Sequence, residues 1–321
     1  MNLDVSLIRK LHRRLHRRHK KTGDRGLHAI GLGPAKSGGA VDASRPKAII
    51  YLVKKKKAAG RVPKKHLIPK IVSVFLVVGK GKNKRRKRFC YPTDVIEIGP
   101  EIKLTGLKAT TAAGQFFTVS ALVKWGQPVI YGALSVGHAV QAGVGSSVNV
   151  ALPGGGIAPA IVVAFTTGTA TLDASLIKFT APIDTLLPAP GTALPPNPPS
   201  NDDLATLASN GADATTCSMF GKFPIVLQVY VPSIQISDGA YNLTDIVMAQ
   251  GNPKTFRHGA SGSVWLKSVD GTPLAIQVAG APDDQSSQQF IYGFAQPFSE
   301  YMDWAQLQDP VHGSLQLISV L

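Results

Sequence analysis

The amino-terminal residues place apolar and basic side chains with a helical period. Ile8, Leu11 and Leu15 form a narrow apolar stripe, and the other face is rich in Arg and His. Residues three and four apart share one face of a helix, so this stripe can pack against a core while the basic face meets solvent. Asp4 stands where an N-cap residue is expected. The pattern predicts a helix over residues 4–20.

Short apolar runs, many of them rich in β-branched residues, predict strands along the rest of the chain. Two of these runs, 48–53 and 72–78, are flanked by lysines and, with the helix, predict a small α+β unit. A first block of predicted strands covers 116–125, 129–136, 147–152, 160–165 and 176–179. A second block covers 225–231, 243–249, 262–267, 273–278 and 290–295.

A proline-rich stretch separates the two blocks. Proline has no backbone N–H to donate to a sheet, so this stretch predicts an extended connection. We expect a mainly β fold of two six-stranded-type antiparallel β-barrels, preceded by a small basic α+β domain. The predicted units are an accessory domain at 1–104, a first barrel at 105–187, a linker at 188–203, and a second barrel at 204–321 with a helix near Glu300–Leu307.

Composition agrees with many short strands and turns. The chain has 32 Gly and 23 Pro, with 44% hydrophobic and 17% charged residues, as expected for a globular, strand-rich protein. Cys90 and Cys217 lie far apart and without metal-ligand spacing, so neither a disulfide framework nor a zinc site is indicated. We expect neither a metal nor an organic cofactor.

Positive charge is concentrated at one end of the chain. Residues 1–90 hold 27 of the 35 Lys and Arg and three acids, giving +24 within a total of +16. This asymmetry predicts an anionic partner for residues 1–90, such as nucleic acid, a membrane surface or the acidic remainder of the chain. The runs 54–57 and 84–88 can contact phosphates, but no aromatic residues interleave with them in sequence for base stacking, which favours solvated loops.

No segment of the sequence predicts export or membrane insertion. The paired arginines at 13–14 and 17–18 are not followed by the apolar run of a signal peptide. No stretch approaches the roughly 20 apolar residues of a membrane span. We therefore expect a soluble, cytoplasmic protein.

Three residues in separate segments carry candidate chemistry. His138 ends an apolar strand, Asp173 is a lone acid entering another, and Ser261 stands close to Gly259 and Gly262. A serine hydroxyl becomes a strong nucleophile when a histidine accepts its proton and a carboxylate stabilises the imidazolium. Each residue also has a structural interpretation: a Gly-Ser turn, a core histidine and a turn or cap acid.

Taken together, the three segments resemble the chymotrypsin/trypsin-like serine proteases. The stretch Ser135-Val136-Gly137-His138-Ala139 is similar to the histidine motif of that family. Asp173-Ala174-Ser175-Leu176-Ile177 is similar to its aspartate motif, and Gly259-Ala260-Ser261-Gly262-Ser263 to its nucleophile motif. The order His, Asp, Ser along the chain is that of the family. The resemblance covers residues 106–305, and residues 1–104 loosely resemble an accessory domain of bacterial members.

The resemblance implies roles for several further residues. The backbone amides of Gly259 and Ser261 would form the oxyanion hole. Val278, Ala279 and Gly280 would lie in the strand that pairs with substrate backbone. Thr255 would form the floor of the specificity pocket, whose walls carry Gly280 and Gly293. Because this floor is not acidic, the implied preference is for a small or neutral residue before the scissile bond, and Ala260 implies that activation by a new amino terminus is missing.

Three functions remain open from the sequence alone. The first is a serine endopeptidase acting on a protein or peptide through an acyl-enzyme. The second is a catalytically weak or inactive protein of protease fold whose basic amino-terminal domain binds nucleic acid or another anionic partner. The third is recruitment to a membrane surface by the basic helix, which the absence of Trp and Phe from its apolar stripe disfavours.

Overall fold

The fold is that of a computed structural model of the chain, and it is mainly β, which confirms the fold class predicted from the sequence. The structure describes part of the sequence. The described residues are 4–21, 26–37, 40–41, 47–57, 59–78, 84–99, 102–104, 118–140, 143–151, 157–168, 170–181, 183, 192–218, 220–236, 241–252, 255–257, 260–282, 289–308 and 313–320.

The first strand-rich block forms a six-stranded antiparallel sheet. Its strands have the bounds β8 Ala121–Trp125, β9 Ile130–Ser135, β10 Ser147–Ala151, β11 Ile157–Phe165, β12 Ser175–Phe179 and β20 Gln316–Val320. They follow the order β10-β11-β12-β9-β8-β20 across the sheet. The last of these comes from the carboxyl terminus, within the range predicted as the second barrel. The chain therefore returns to its first block after completing the second.

The second block forms a larger sheet with long central strands. Their bounds are β13 Asp213–Ser218, β14 Gly221–Ile236, β15 Tyr241–Gly251, β16 Phe256–Arg257, β17 Val264–Lys267, β18 Pro273–Pro282 and β19 Gln289–Pro297. The order β13-β17-β18-β19-β15-β14 is antiparallel throughout, and β16 pairs with β19. This block follows the connection at 192–200, which has no helix or strand.

Strands of the basic amino-terminal segment extend this second sheet. The bounds in that segment are β1 Leu27–Gly33, β2 Lys36–Ser37, β3 Ala40–Val41, β4 Ala48–Val53, β5 Ile71–Val78, β6 Arg85–Glu97 and β7 Lys103–Leu104. β1 pairs with β14 through Leu32 and Tyr230, and the sheet continues through β4, β6 and β5. The segment predicted as a separate accessory domain thus shares a sheet with the second block.

The described ranges contain three α-helices, which pack on the larger sheet, with bounds α1 Val5–Lys21, α2 Asn201–Asn210 and α3 Phe298–Gln308. The predicted stripe on α1 is buried against the sheet, and Ile8 is fully inaccessible. Asp4 caps α1 by accepting a hydrogen bond from the amide of Leu7 at 2.8 Å. The helix α3 covers the segment predicted near 300–307. Its Phe298 and Tyr301 belong to the apolar cluster that also contains Val123 and Leu134 of the first sheet.

Candidate active site

His138 lies in a tight turn directly after β9. The turn spans Gly137–Ala139, and a Cβ atom added to Gly137 would lie 2.7 Å from the carbonyl oxygen of Thr166 and 2.8 Å from that of Ala174. Real side chains do not tolerate such contacts with backbone, so glycine allows the turn to approach the segment before β12. This approach brings His138 next to Asp173.

Asp173 is almost completely buried, at 1% exposure, immediately before β12. Its Oδ2 atom lies 2.5 Å from Nδ1 of His138, and its Oδ1 atom accepts a hydrogen bond from the His138 amide at 2.8 Å. A buried carboxylate without partners is costly, and these two contacts satisfy both of its oxygens. They also fix the imidazole ring in one orientation.

Ser261 lies in the turn that leads into β17, and it is 2% exposed. The next residue, Gly262, has φ of +87°, and a Cβ atom there would lie 2.2 Å from the carbonyl oxygen of Thr118. Only glycine combines this backbone conformation with such a close approach. The hydroxyl of Ser120 donates a hydrogen bond of 2.6 Å to the Gly262 carbonyl, so the first block holds the serine turn of the second.

The three predicted residues meet at the junction of the two blocks. Nε2 of His138 lies 3.0 Å from Oγ of Ser261, and the other ring nitrogen contacts Asp173 as described above. With the Nδ1 proton donated to the carboxylate, Nε2 is left as the acceptor for the serine proton. A second acceptor, the carbonyl oxygen of Val278, lies 3.3 Å from Oγ. The arrangement can transfer a proton from Ser261 to His138.

Two residues that the sequence motifs do not single out hold the main chain of Asp173. The side-chain oxygen of Gln296 accepts from the Asp173 amide at 2.9 Å, and the hydroxyl of Tyr301 donates to its carbonyl at 2.7 Å. Both side chains are fully buried. In the sequence, Gln296 stands at the end of an apolar strand. A buried side-chain amide needs polar partners, so this position was the available signal for its role.

A further tyrosine lies against the histidine. The ring of Tyr241 meets that of His138 edge to face, with 6.5 Å between the ring centroids. Burial raises the pKa of Tyr241, and the negative charge of Asp173 raises it further. This ring therefore stays neutral at physiological pH and forms part of the wall beside the imidazole.

Three of the four predicted substrate-binding residues lie in one strand, and the fourth lies in a turn. Val278, Ala279 and Gly280 are in β18, and Val278 is adjacent to Ser261 through the contact described above. Thr255 is buried at 1% exposure in the turn before β16. Gly293, opposite Gly280 in the sheet, is covered by the ring of Phe256, because a Cβ atom there would lie 2.6 Å from that ring. Phe256 therefore fills space beside the expected pocket wall.

One residue of the predicted site, Gly259, lies outside the described part of the chain. It is the expected second donor of the oxyanion hole. The backbone of Ser261 is described, and the turn is closed by hydrogen bonds from Ala260 to Arg257 and from Ser263 to Ala260, both at 3.0 Å. The oxyanion hole stays a prediction.

The lysine and arginine runs 54–57 and 84–88 are exposed. The first run lies in a loop, as expected, but residues 85–88 lie in β6 and not in a loop. The pairing of β5 with β6 adds a feature that was not visible in sequence. Phe75 lies opposite Arg88, and the guanidinium of Arg86 lies 4.6 Å from the centre of its ring. Phe75 is 46% exposed. An aromatic side chain therefore does interleave with the second basic run in space.

The described residues show neither a metal-binding cluster nor a membrane-spanning helix. No group of three or more His, Cys, Asp or Glu side chains among those residues is arranged to hold a metal ion. None of the helices in the described ranges has the length and apolar character needed to cross a membrane.

Comparison with known proteins returned similar solved structures. Neither the scan against protein-family models nor the search of curated proteins found a match. Protease A of Thermobifida fusca is 14% identical, with a TM-score of 0.41, over 64% of this chain and 97% of that chain. The MamO protease domain of Magnetospirillum magneticum is 17% identical, with a TM-score of 0.34, over 58% and 95%. The HtrA-type protease AlgW with a tripeptide is 15% identical, with a TM-score of 0.39, over 61% of each chain.

Proposed function

We propose that this protein is a serine endopeptidase whose nucleophile is Ser261, with His138 as general base and Asp173 as the carboxylate that orients and stabilises the histidine. The observation that carries the proposal is the line of contacts from the buried Asp173 through both ring nitrogens of His138 to Oγ of Ser261. These residues come from three separate segments, and two of them adjoin a different sheet from the third. A core histidine or a simple turn serine does not require that convergence.

The proposed reaction proceeds through an acyl-enzyme. Ser261 Oγ attacks the carbonyl carbon of the scissile peptide bond while its proton passes to Nε2 of His138. The tetrahedral intermediate collapses, the C–N bond breaks, and His138 returns the proton to the leaving amine. Water then attacks the ester carbonyl and gives a proton to His138. The ester C–O bond breaks, His138 returns that proton to Ser261 Oγ, and the acid product leaves. Asp173 keeps the imidazole in the required tautomer during both steps.

The proposed oxyanion hole belongs to the main chain around Ser261. The amide of Ser261, together with that of Gly259, is the proposed donor pair for the oxyanion, and one such donor contributes about a hundredfold or more to the rate. Thr255, Val278, Ala279 and Gly280 are the proposed substrate-binding residues. The Phe256 ring beside Gly293 and the uncharged Thr255 favour a small or neutral residue before the scissile bond.

Covalent labelling with a small fluorophosphonate tests the proposal. We expect the probe to modify Ser261 in the wild-type protein, as located by mass spectrometry of the digest. Labelling should disappear in Ser261→Ala and fall at least about a thousandfold in His138→Ala. Ser268→Ala, which removes a hydroxyl from the exposed turn after β17, is the matched control and should label like the wild type.

The opposite result would support the alternative of an inactive protein of protease fold. A wild-type protein that is folded by circular dichroism but takes up no probe would rule out the proposed peptidase. Equal labelling of wild type and Ser261→Ala would rule out Ser261 as nucleophile.

A further inference from the structure

The strand β18 has different partners on its two edges. One edge pairs with β19 from Ala275 to Pro282. The other edge begins with β17, whose Val264 lies opposite Ile276. β17 extends no further along this edge, so the residues after Ile276 have other partners there.

The turn that carries Ser261 takes the next positions on that second edge. The amide of Gly262 donates to the carbonyl of Gln277 at 2.9 Å, and the Gln277 amide donates to the carbonyl of Ser263 at 2.9 Å. Oγ of Ser261 is in reach of the carbonyl of Val278, as described above. The nucleophile therefore lies beside this edge at Gln277 and Val278.

Strand β7 follows the serine turn on the same edge. Leu104 lies opposite Ala279 and Lys103 lies opposite Gly280, in antiparallel pairing. On the first edge, the same two residues pair with β19: Ala279 lies opposite Phe294, and Gly280 lies opposite Gly293. Because a strand has two edges, β7 must use the one that faces the serine turn.

The direction of β7 matches that of a peptide bound for cleavage. In antiparallel pairing the chain runs from Lys103, opposite Gly280, to Leu104, opposite Ala279, and so toward the position of Val278 and Ser261. An extended peptide that adds to a sheet edge in this direction presents a later carbonyl group to the nucleophile. Residues at the positions of 103 and 104 then lie on the amino side of the bond that is cut.

The amino-terminal segment anchors the start of this strand. The amide of Ile98 donates to the carbonyl of Val53 at 3.0 Å, and Nε2 of His28 lies 3.0 Å from the carbonyl oxygen of Gly99. Ile102, next to β7, is 2% exposed within the cluster that contains Ala279 and Phe294. These contacts hold β7 at the edge as part of the folded protein.

We propose that β7 occupies the substrate-binding edge of β18, so that the amino-terminal segment inhibits the protease by competing with extended peptide substrates. This inference rests on the proposed function of Ser261. A substrate can pair with Ala279 and Gly280 only in molecules from which β7 has withdrawn. The apparent affinity for peptides is then reduced by the fraction of molecules with a free edge. A small electrophile that does not extend along β18 is not subject to this competition.

Two covalent probes of Ser261 separate the inference from the proposed function. One is the small fluorophosphonate, and the other is a phosphonate ester attached to three alanine residues, which must pair with β18. In a Lys103→Pro/Leu104→Pro variant we expect the second-order labelling rate of the tripeptidyl probe to rise about tenfold or more, because proline removes backbone donors from β7. The rate for the small probe should change less than about twofold. Lys103→Ala/Leu104→Ala keeps the backbone donors and is the matched control, with rates near those of the wild type.

Each other outcome has a defined meaning. If neither probe labels the wild type, the proposed function fails. If both probes label and neither rate changes in the proline variant, the function stands and the inference is wrong. The inference is also wrong if the labelling rates of both probes rise equally. The proline substitutions would then change the reactivity of the serine turn and not relieve competition for the edge of β18.

A measurement on the wild type covers the case in which the proline variant does not fold. Hydrogen–deuterium exchange of amides in 102–104 should speed up after labelling with the tripeptidyl probe and stay unchanged after labelling with the fluorophosphonate. Equal exchange in both labelled forms overturns the inference.

Discussion

Arg9 of the amino-terminal helix forms an ion pair with Asp245 of the second block, with 2.8 Å between Nη2 and Oδ1. The same guanidinium donates to the hydroxyl of Tyr230 and contacts Asp202, both at 2.6 Å. Asp245 has φ of +51°, a conformation that few residues other than glycine adopt. The ion pair therefore stabilises an unusual backbone conformation directly after Thr244. The carbonyl of Thr244 accepts a hydrogen bond from the Gln296 side chain, and the same side chain binds the Asp173 amide.

Replacing Arg9 by Gln should destabilise the protein. The change leaves the partly buried carboxylate of Asp245 without its cation, which costs about 2 kcal/mol in the free energy of unfolding. Chemical denaturation measures this change in the free energy of unfolding. Asp202→Asn is the control, because its exposed contact with Arg9 contributes less than about 1 kcal/mol. Equal losses of stability in the two variants would show that the contact with Asp245 contributes no more than the contact with Asp202.

Gln296→Leu should slow labelling of Ser261 more than its loss of stability alone would explain. Leucine removes the acceptor for the Asp173 amide and the donor to the carbonyls of Thr171 and Thr244. We expect the fluorophosphonate rate to fall about tenfold, since small displacements of catalytic groups have effects of this size or larger.

The variant Gln277→Leu is the comparison for Gln296→Leu. It removes another fully buried glutamine, whose side chain contacts Trp265 rather than Asp173. A similar fall in labelling in both variants, at matched stability, would contradict a specific role for Gln296.

Glu300 should make stability depend on pH. Burial raises its pKa to about 7 from an ordinary value near 4.5, and the nearby Asp245 raises it as well. The folded protein therefore holds this proton more tightly than the unfolded chain between these two pH values. As a result, the contribution of Glu300 to stability falls as pH rises from 4.5 to 7 and is constant above.

Glu300→Gln removes this titration while keeping an oxygen that can accept from Asn201. We expect the variant to gain up to about 3 kcal/mol over the wild type at about pH 8, and the gain to vanish near pH 4. Denaturation curves at several pH values measure the difference. A difference that is the same at both ends of this pH range would contradict the raised pKa.

The β5–β6 ribbon is a candidate contact for an anionic partner. Phe75 is exposed between Arg86 and Arg88, a combination that suits stacking on a base with neighbouring phosphate contacts. We expect wild-type protein to bind a single-stranded oligonucleotide in fluorescence anisotropy, with affinity falling as salt rises. Phe75→Ala should weaken binding by about 1 kcal/mol or more.

A charge-matched comparison separates this ribbon from general attraction to a basic protein. Arg86→Gln/Arg88→Gln should reduce both affinity and its salt dependence more than Lys55→Gln/Lys57→Gln, which removes the same charge from another exposed run. Equal effects would leave net charge as the explanation. Binding to anionic vesicles but not to the oligonucleotide would indicate a membrane partner instead.

The features that the sequence predicted are those that depend on residues close together along the chain. The stripe Ile8, Leu11 and Leu15 predicted a buried helix face, and small residues around Ser261 predicted a tight turn. The segments of His138, Asp173 and Ser261 each carried a recognisable motif, and the structure brings the three side chains together. Such signals involve residues close in sequence, so a single chain displays them.

Features that depend on distant partners were not predictable in the same way. Gln296 meets the Asp173 amide across 123 positions in sequence, so its place in an apolar strand indicates a buried polar contact but does not identify the partner. β7 is two residues long and has no apolar period, so only its pairing with β18 reveals it. The pairing of β1 with β14 likewise joins strands that are far apart in sequence. The basic composition of residues 1–90 suggested a separate unit instead.

The return of the carboxyl-terminal strand β20 to β8 has a consequence for a cut chain. A protease that cleaves the extended connection at 192–200 separates the polypeptide carrying His138 and Asp173 from the one carrying Ser261. Because β20 stays paired with β8, and β14 with β1, each fragment supplies strands to the sheet of the other. The nicked protein should therefore migrate as one particle in gel filtration and as two bands in denaturing electrophoresis, with the histidine and the serine still facing each other.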